Sequence, residues 1–208
     1  MSAALTGGVL LKCTKRVEAT PEFQQSMMKL ARECVPLRES IAAHAALEVE
    51  ESYLYLFSRE AAAINAAVLS RVVERSSALP GMKGAEFSAA KLVPIFDRPG
   101  ASRTKAAAFH YVVETDVVAA HEADLNTWYD KEHMPGLAAC PGTVRARRFR
   151  NPDGSPRYHS CYDLTRAETL GSEPWLAVRH TPWSDRVRPH FRNAKRTMFR
   201  RLFELEFV

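Results

Sequence analysis

The 208-residue sequence predicts an α+β fold: two βαββαβ units in one chain, with antiparallel sheets packed as an α/β barrel. Three observations carry this expectation. The order strand, helix, one or two strands, helix, strand is legible up to residue 96 and returns between residues 107 and 205. Between the two runs, DRPGASRTK at residues 97–105 is a polar stretch with Pro-Gly near its centre. In the second run, NPDGSP at residues 151–156 joins two alternating segments, and Asp-Gly readily supplies the backbone conformations of a tight hairpin. The expected division is therefore a first half over 1–96, a linker over 97–106 and a second half over 107–208. A sheet covered by helices on one face has a second apolar face to bury. Two such sheets are expected to pack those faces together, with a small ligand in the interior.

Element by element, GVLLKCTKRV at residues 8–17 reads as an opening strand. Thr20, Pro21 and Glu22 start a helix whose stripe of Phe23, Met27, Leu30, Ala31, Cys34 and Val35 runs to Pro36. Residues 44–58 alternate as two strands, or one bent near Glu51 and Ser52. The alanine-rich run 60–76 is a helix ending before Leu79-Pro80-Gly81, and KGAEFSAAKLVPIF is a further strand. The second half gives strand 107–115, helix 120–133, strand 143–149, strand 157–164, a helix from about 166 to 180 and strand 195–205.

Composition excludes several classes. Hydrophobic residues make up 46% and charged residues 25%, as in an ordinary globular protein. No run approaches the roughly 20 apolar residues of a membrane helix. The N-terminus lacks a basic region before its short apolar stretch, so the expectation is a cytoplasmic protein without membrane contact. Cys13, Cys34, Cys140 and Cys161 are scattered without a CxxC pair, which points to reduced, buried thiols. Residues 140–208 hold 14 Lys and Arg against 7 Asp and Glu, leaving 15 against 17 for residues 1–139. That basic part fits an anionic substrate, an acidic partner or a solvated face with a few pocket arginines. No glycine-rich phosphate loop or nucleic-acid signature accompanies it, so nucleic acid is not expected.

The stretch with most chemistry is WYDKEHMPGLAACPGTVRARRFR, residues 128–150. Leu125, Trp128, Tyr129 and Glu132 or His133 fall on one helical stripe. Pro135 restricts Met134, so the helix is expected to end or bend near His133. An imidazole at a helix C-terminus feels a partial negative charge that favours its protonated form, which makes His133 a proton carrier near neutral pH. The plain alternative is a histidine that caps the last carbonyls.

These residues carry a resemblance. DLNTWYDKEHMPGLAACPGTVRARRF and the following YHSCYDL at residues 158–164 resemble the helix-to-strand segment of EthD-like members of the dimeric α/β-barrel superfamily. The similarity covers residues 107–205; at the equivalent helix end the first half reads ARECVPLRES, with Pro36 but no Trp-Tyr pair and no Glu-His. The resemblance implies ferredoxin-like units whose sheets pair into a barrel. It also implies small, often aromatic ligands, and in several members cofactor-independent oxygenation, cyclisation, isomerisation or decarboxylation; other members carry heme. Such barrels commonly form from two chains. Here a monomer is allowed and a homodimer through helices or strand edges is expected.

The expected function is thus a cofactor-independent enzyme on a small hydrophobic or aromatic metabolite, or a non-catalytic carrier with the same pocket. His133 is the candidate acid or base, and Tyr129, one turn earlier, is its neighbour. Candidate ligand contacts are His110, His159, Trp128, Arg145, Arg147, Arg148 and Tyr162, with Trp128 read as core packing ahead of a stacking platform. His159 shares a strand face with Asp163, which allows a contact along that face. The three histidines with Glu132 lack HxH or HExxH spacing, so no metal is expected.

Overall fold

The computed structural model describes residues 7–207. The first six residues of the N-terminal stretch read above lie outside the described residues. Eight strands alternate with helices: β1 (Gly7–Cys13), α1 (Pro21–Cys34), β2 (Arg38–Ala46), β3 (Ser52–Ser58), α2 (Ala66–Ser76), β4 (Phe87–Pro99), β5 (Phe109–Val117) and α3 (Glu122–Trp128). They continue with a π-helical turn (Tyr129–His133), α4 (Met134–Ala139), β6 (Thr143–Arg150), β7 (Tyr158–Leu164), α5 (Glu173–Arg179), α6 (Pro182–Val187) and β8 (Phe191–Glu206). The strands hydrogen-bond in the order β1-β3-β2-β8-β5-β7-β6-β4, which closes as a barrel. None of the described helices is long and apolar enough to cross a membrane.

The chain divides into two compact units. The first runs through Pro94 and adds Arg150–Gly154 and the chain from Phe199 onward. Its helix α1 forms where the sequence asked for it: the Thr20 side chain accepts from the Phe23 amide at 3.1 Å, Pro21 occupies the first turn, and Val35 before Pro36 is extended. The stripe Phe23, Met27, Leu30 and Cys34 buries against Leu11, Leu54 and Leu56 of the sheet. Each such side chain contributes about 1.5–3 kcal/mol by leaving water.

The second unit comprises Ile95–Phe149 and Ser155–Met198. Tyr111, Val113, Ala146, Tyr158 and Tyr162 on one sheet face pack with Leu125, Trp128, Leu137 and Trp175 of the helices. All four cysteines of the chain are buried and none is in a disulfide.

Several boundaries differ from the sequence reading. Residues 97–99 complete β4, and β2 begins at Arg38, ahead of the strand start read at residue 44. The helix read from residue 60 starts at Ala66, where the Asn65 side chain caps the Val68 amide at 3.1 Å. The segment 166–180 splits into a 3-10 turn and α5, because Pro174 suits a first turn and not an interior.

The largest correction concerns His133. The helix does not end there: α3 passes through the π turn into α4, and Met134 keeps helical angles of φ −66° and ψ −45°. Pro135 sits in the first turn of α4, and the wider π turn before it makes room for a residue without an amide hydrogen. His133 therefore feels no C-terminal dipole.

Candidate functional site

A cleft opens in the second unit between the helices and their face of the sheet. Trp128, Tyr129, His133 and Leu137 come from the continuous helix, Tyr111 and Tyr162 from β5 and β7, and Trp175 from α5. In an α-helix, residues five apart point away from each other; in a π turn they share a face. His133 accordingly stacks on Trp128, with centroids 4.2 Å apart and planes at 20°, and meets the Tyr129 ring edge-on at 5.4 Å. Glu132 anchors this turn by accepting from Trp128 Nε1 at 3.1 Å and from the Thr181 hydroxyl at 2.5 Å. The cleft is small, with a cavity volume of about 30 Å³, room for a few atoms or a water or two.

His133 is 7% exposed, and its Nδ1 has no hydrogen-bond partner among the described residues. Burial, and then the charges of Arg188, Arg179 and Arg148, push its pKa down to about 3; a backbone hydrogen bond with Val178 pulls the other way. The imidazole is neutral at physiological pH. Trp175, 1% exposed, likewise leaves its indole N–H unpartnered among the described residues. Tyr162 donates to the Met134 sulfur at 3.1 Å, and burial raises its pKa well above the usual phenol value. Behind Tyr129, Arg148 is 0% exposed; burial lowers its pKa, and none of its three side-chain nitrogens has a hydrogen-bond partner among the described residues.

The remaining sequence candidates lie elsewhere. His110, Arg147 and His159 occupy the sheet face turned away from the helices. His110 Nδ1 lies 2.7 Å from Asp163 Oδ1, and Arg147 donates to Asp163 Oδ2 at 3.2 Å. His159 Nδ1 is 3.4 Å from Glu114 Oε1. Both histidines thus face the carboxylate directly opposite on the neighbouring strand, since register pairs His110 with Asp163 and His159 with Glu114. The sequence allowed a His159–Asp163 contact along one strand; register sets each of these residues opposite a different partner across the strands. Arg145 is tied to Asp97 of β4, with Nε 2.8 Å from Oδ1. Of the sequence candidates, His133, Tyr129, Trp128 and Tyr162 share the cleft, with Arg148 behind them. It lies on the helix-covered face, not on the face where an interior ligand was expected.

Solved structures share this architecture. A candidate monooxygenase from Lactobacillus acidophilus NCFM has 14% identity and a TM-score of 0.64 over 97% of each chain. An anthrone oxidase-like protein has 11% identity and a TM-score of 0.56, covering 99% of this chain and 95% of its own. A ferredoxin-fold protein related to antibiotic biosynthesis monooxygenases, from Listeria monocytogenes, has 7% identity and a TM-score of 0.52, covering 93% and 94%. This chain has a ferredoxin-like fold. At these identities the likeness is one of fold alone. No family model matches the sequence, and no curated protein does.

Within the ferredoxin-like second unit, cofactor fit is poor at the cleft. A heme, allowed by the resemblance, needs a slot for its macrocycle, whereas this cleft closes to about 30 Å³ with His133 stacked on Trp128. Glu132 and His133 do not converge with His110 and His159, which sit on the other sheet face. The sequence reading missed Trp175, Arg179, Arg188 and Arg196, all of which line the cleft. The only signal for the three arginines was the basic excess of residues 140–208.

Proposed function

We propose that the second unit binds a small hydrophobic or aromatic metabolite at this cleft and transforms it without a cofactor, as an oxygenase, cyclase, isomerase or lyase. We also infer kinship with EthD-like proteins, fused as a tandem pair of units, from the Trp128–Arg150 segment. One observation carries the functional reading: a buried, neutral imidazole with an unpartnered Nδ1 lines a cleft walled by aromatic rings. Such a nitrogen accepts a proton from a ligand C–H or O–H group held against it. The rings of Trp128, Tyr129 and Phe191 exclude water around it. The guanidinium groups at the cleft stabilise the oxyanion that results, in a site where such charges act more strongly than in water. The anthrone oxidase-like neighbour makes an aromatic, enolisable ligand a natural choice.

A second reading rests on the depressed pKa of His133. An imidazole held near 3 is a weak base, which favours a carrier that only hydrogen-bonds its ligand. Incubation of the purified protein with a metabolite extract, followed by mass spectrometry of retained and altered compounds, separates the readings. An enzyme converts the retained compound and loses turnover in His133→Ala with its fold intact; a carrier binds it unchanged and only loses affinity. Retention of nothing above a blank, or a His133→Ala variant that matches the wild type in both retention and turnover, overturns both.

A further inference from the structure

We propose that the group bound in the deep end of the cleft is an anionic oxygen head group, a carboxylate or an ionised enol or phenol. The inference rests on the assignment of this cleft as the ligand site and specifies the chemistry that it takes.

Arg179 closes α5, Arg188 opens a short 3-10 turn (Arg188–His190) and Arg196 lies on β8, yet all three line one cleft. No carboxylate is within ion-pairing distance of any of the three among the described residues; Asp185 acts on Arg188 only as a weaker, more distant charge. Three other arginines of the same unit are ion-paired, Arg145 with Asp97, Arg157 with Glu122 and Arg186 with Asp124, whereas the buried Arg148 is not. No Asp or Glu lines the cleft at all. Like charges gathered in this way repel, and the arrangement costs free energy unless an anion joins it. Burial, and then the charges of Arg179 and Arg196, lower the pKa of Arg188 in the same sense.

The floor completes the picture. An indole N–H is a donor only, and that of Trp175 is buried without a partner among the described residues. A buried donor left without an acceptor destabilises the site until an acceptor meets it. A cavity volume of about 30 Å³ admits a head group of a few atoms, so the body of the ligand lies toward the mouth. Arg148, buried behind Tyr129, adds a fourth positive charge to the same field.

The test uses the full chain and two matched probe pairs, benzoate with benzamide and acetate with acetamide. Binding is followed by tryptophan fluorescence, and the His133 imidazole by NMR. The carboxylates are expected to bind at least tenfold more tightly than their amides and to raise the pKa of His133, because the anion offsets the cations that hold it neutral. Arg188→Gln is expected to weaken benzoate at least tenfold, while Arg186→Gln, already paired with Asp124, leaves it unchanged. Should Arg188→Gln fail to fold, Arg196→Gln at an exposed strand position serves instead. Equal binding of acid and amide overturns the anion assignment and leaves the cleft as a ligand site. Failure of all four probes to bind overturns the assignment together with the cleft.

Discussion

The guanidinium carbon of Arg148 lies 4.1 Å from the centroid of the Tyr129 ring, and 4.4 Å from that of Tyr158. Tyr158 is itself fixed, donating to Glu122 at 2.6 Å and accepting from Asn126 at 3.1 Å. A buried cation held by ring faces gains about 2 kcal/mol per good contact but loses several kcal/mol of hydration. Arg148→Met keeps the bulk and removes both terms. Chemical denaturation is expected to find it neutral to stabilising, by up to about 2 kcal/mol, and NMR to find the His133 pKa raised. A loss above about 3 kcal/mol, the cost of breaking a buried pair, would mean that the guanidinium has a partner and refute this account.

His133 makes stability depend on pH in a defined direction. Its pKa of about 3 in the fold lies below the ordinary 6.5, so the unfolded chain binds more protons in between. The contribution is complete above pH 6.5 and is lost as pH falls toward 3, at up to about 1.4 kcal/mol per pH unit. Between pH 6.5 and pH 5 this one group withdraws roughly 2 kcal/mol. Urea titrations of the wild type and of His133→Phe should show that the variant lacks this part of the slope. Parallel slopes would place His133 in solvent. If His133 is a base in a reaction, the acid limb of kcat/KM falls well below pH 6.5 for the same reason.

How much of this was legible in the sequence depends on distance along the chain. The Thr20-Pro21 start of α1, the Asp153-Gly154 hairpin and the Trp128–His133 cluster are local signals, read from neighbours in sequence. The π turn was not legible: it follows from how Trp128 and His133 pack, and Pro135 alone argued for a helix end. Nor was the arginine cluster, because Arg179, Arg188 and Arg196 come from three elements whose convergence is tertiary. Strand alternation separated Arg145 and Arg147 from Arg148, and His159 from Tyr162. Which set faced the helices only packing decided.

The opposite sheet face gives a control. Asp163, 4% exposed, holds both His110 and Arg147. Asp163→Asn removes the negative charge that balances Arg147 and is expected to cost about 3–5 kcal/mol, the usual penalty for breaking a buried pair. Benzoate binding at the cleft should survive it under native conditions, since the sheet lies between. Loss of affinity without loss of stability would move the ligand site to that face.

Gly136 in α4 tests how closely the helices around the cleft must approach. A Cβ built there would lie 2.8 Å from Cγ1 of Val178, one residue before Arg179. Helix propensity alone favours alanine over glycine by about 1 kcal/mol. Overpacking typically costs 1–3 kcal/mol, and the β-branched Val178 has little rotamer freedom with which to yield. Sterics are expected to win, so Gly136→Ala should destabilise by about 1 kcal/mol. By pushing α5 outward it should also weaken benzoate more than its stability cost explains, because Arg179 moves with the helix. Adding Val178→Ala to the same chain should restore affinity. A Gly136→Ala protein that gains stability and binds benzoate normally would show that this contact does not position Arg179.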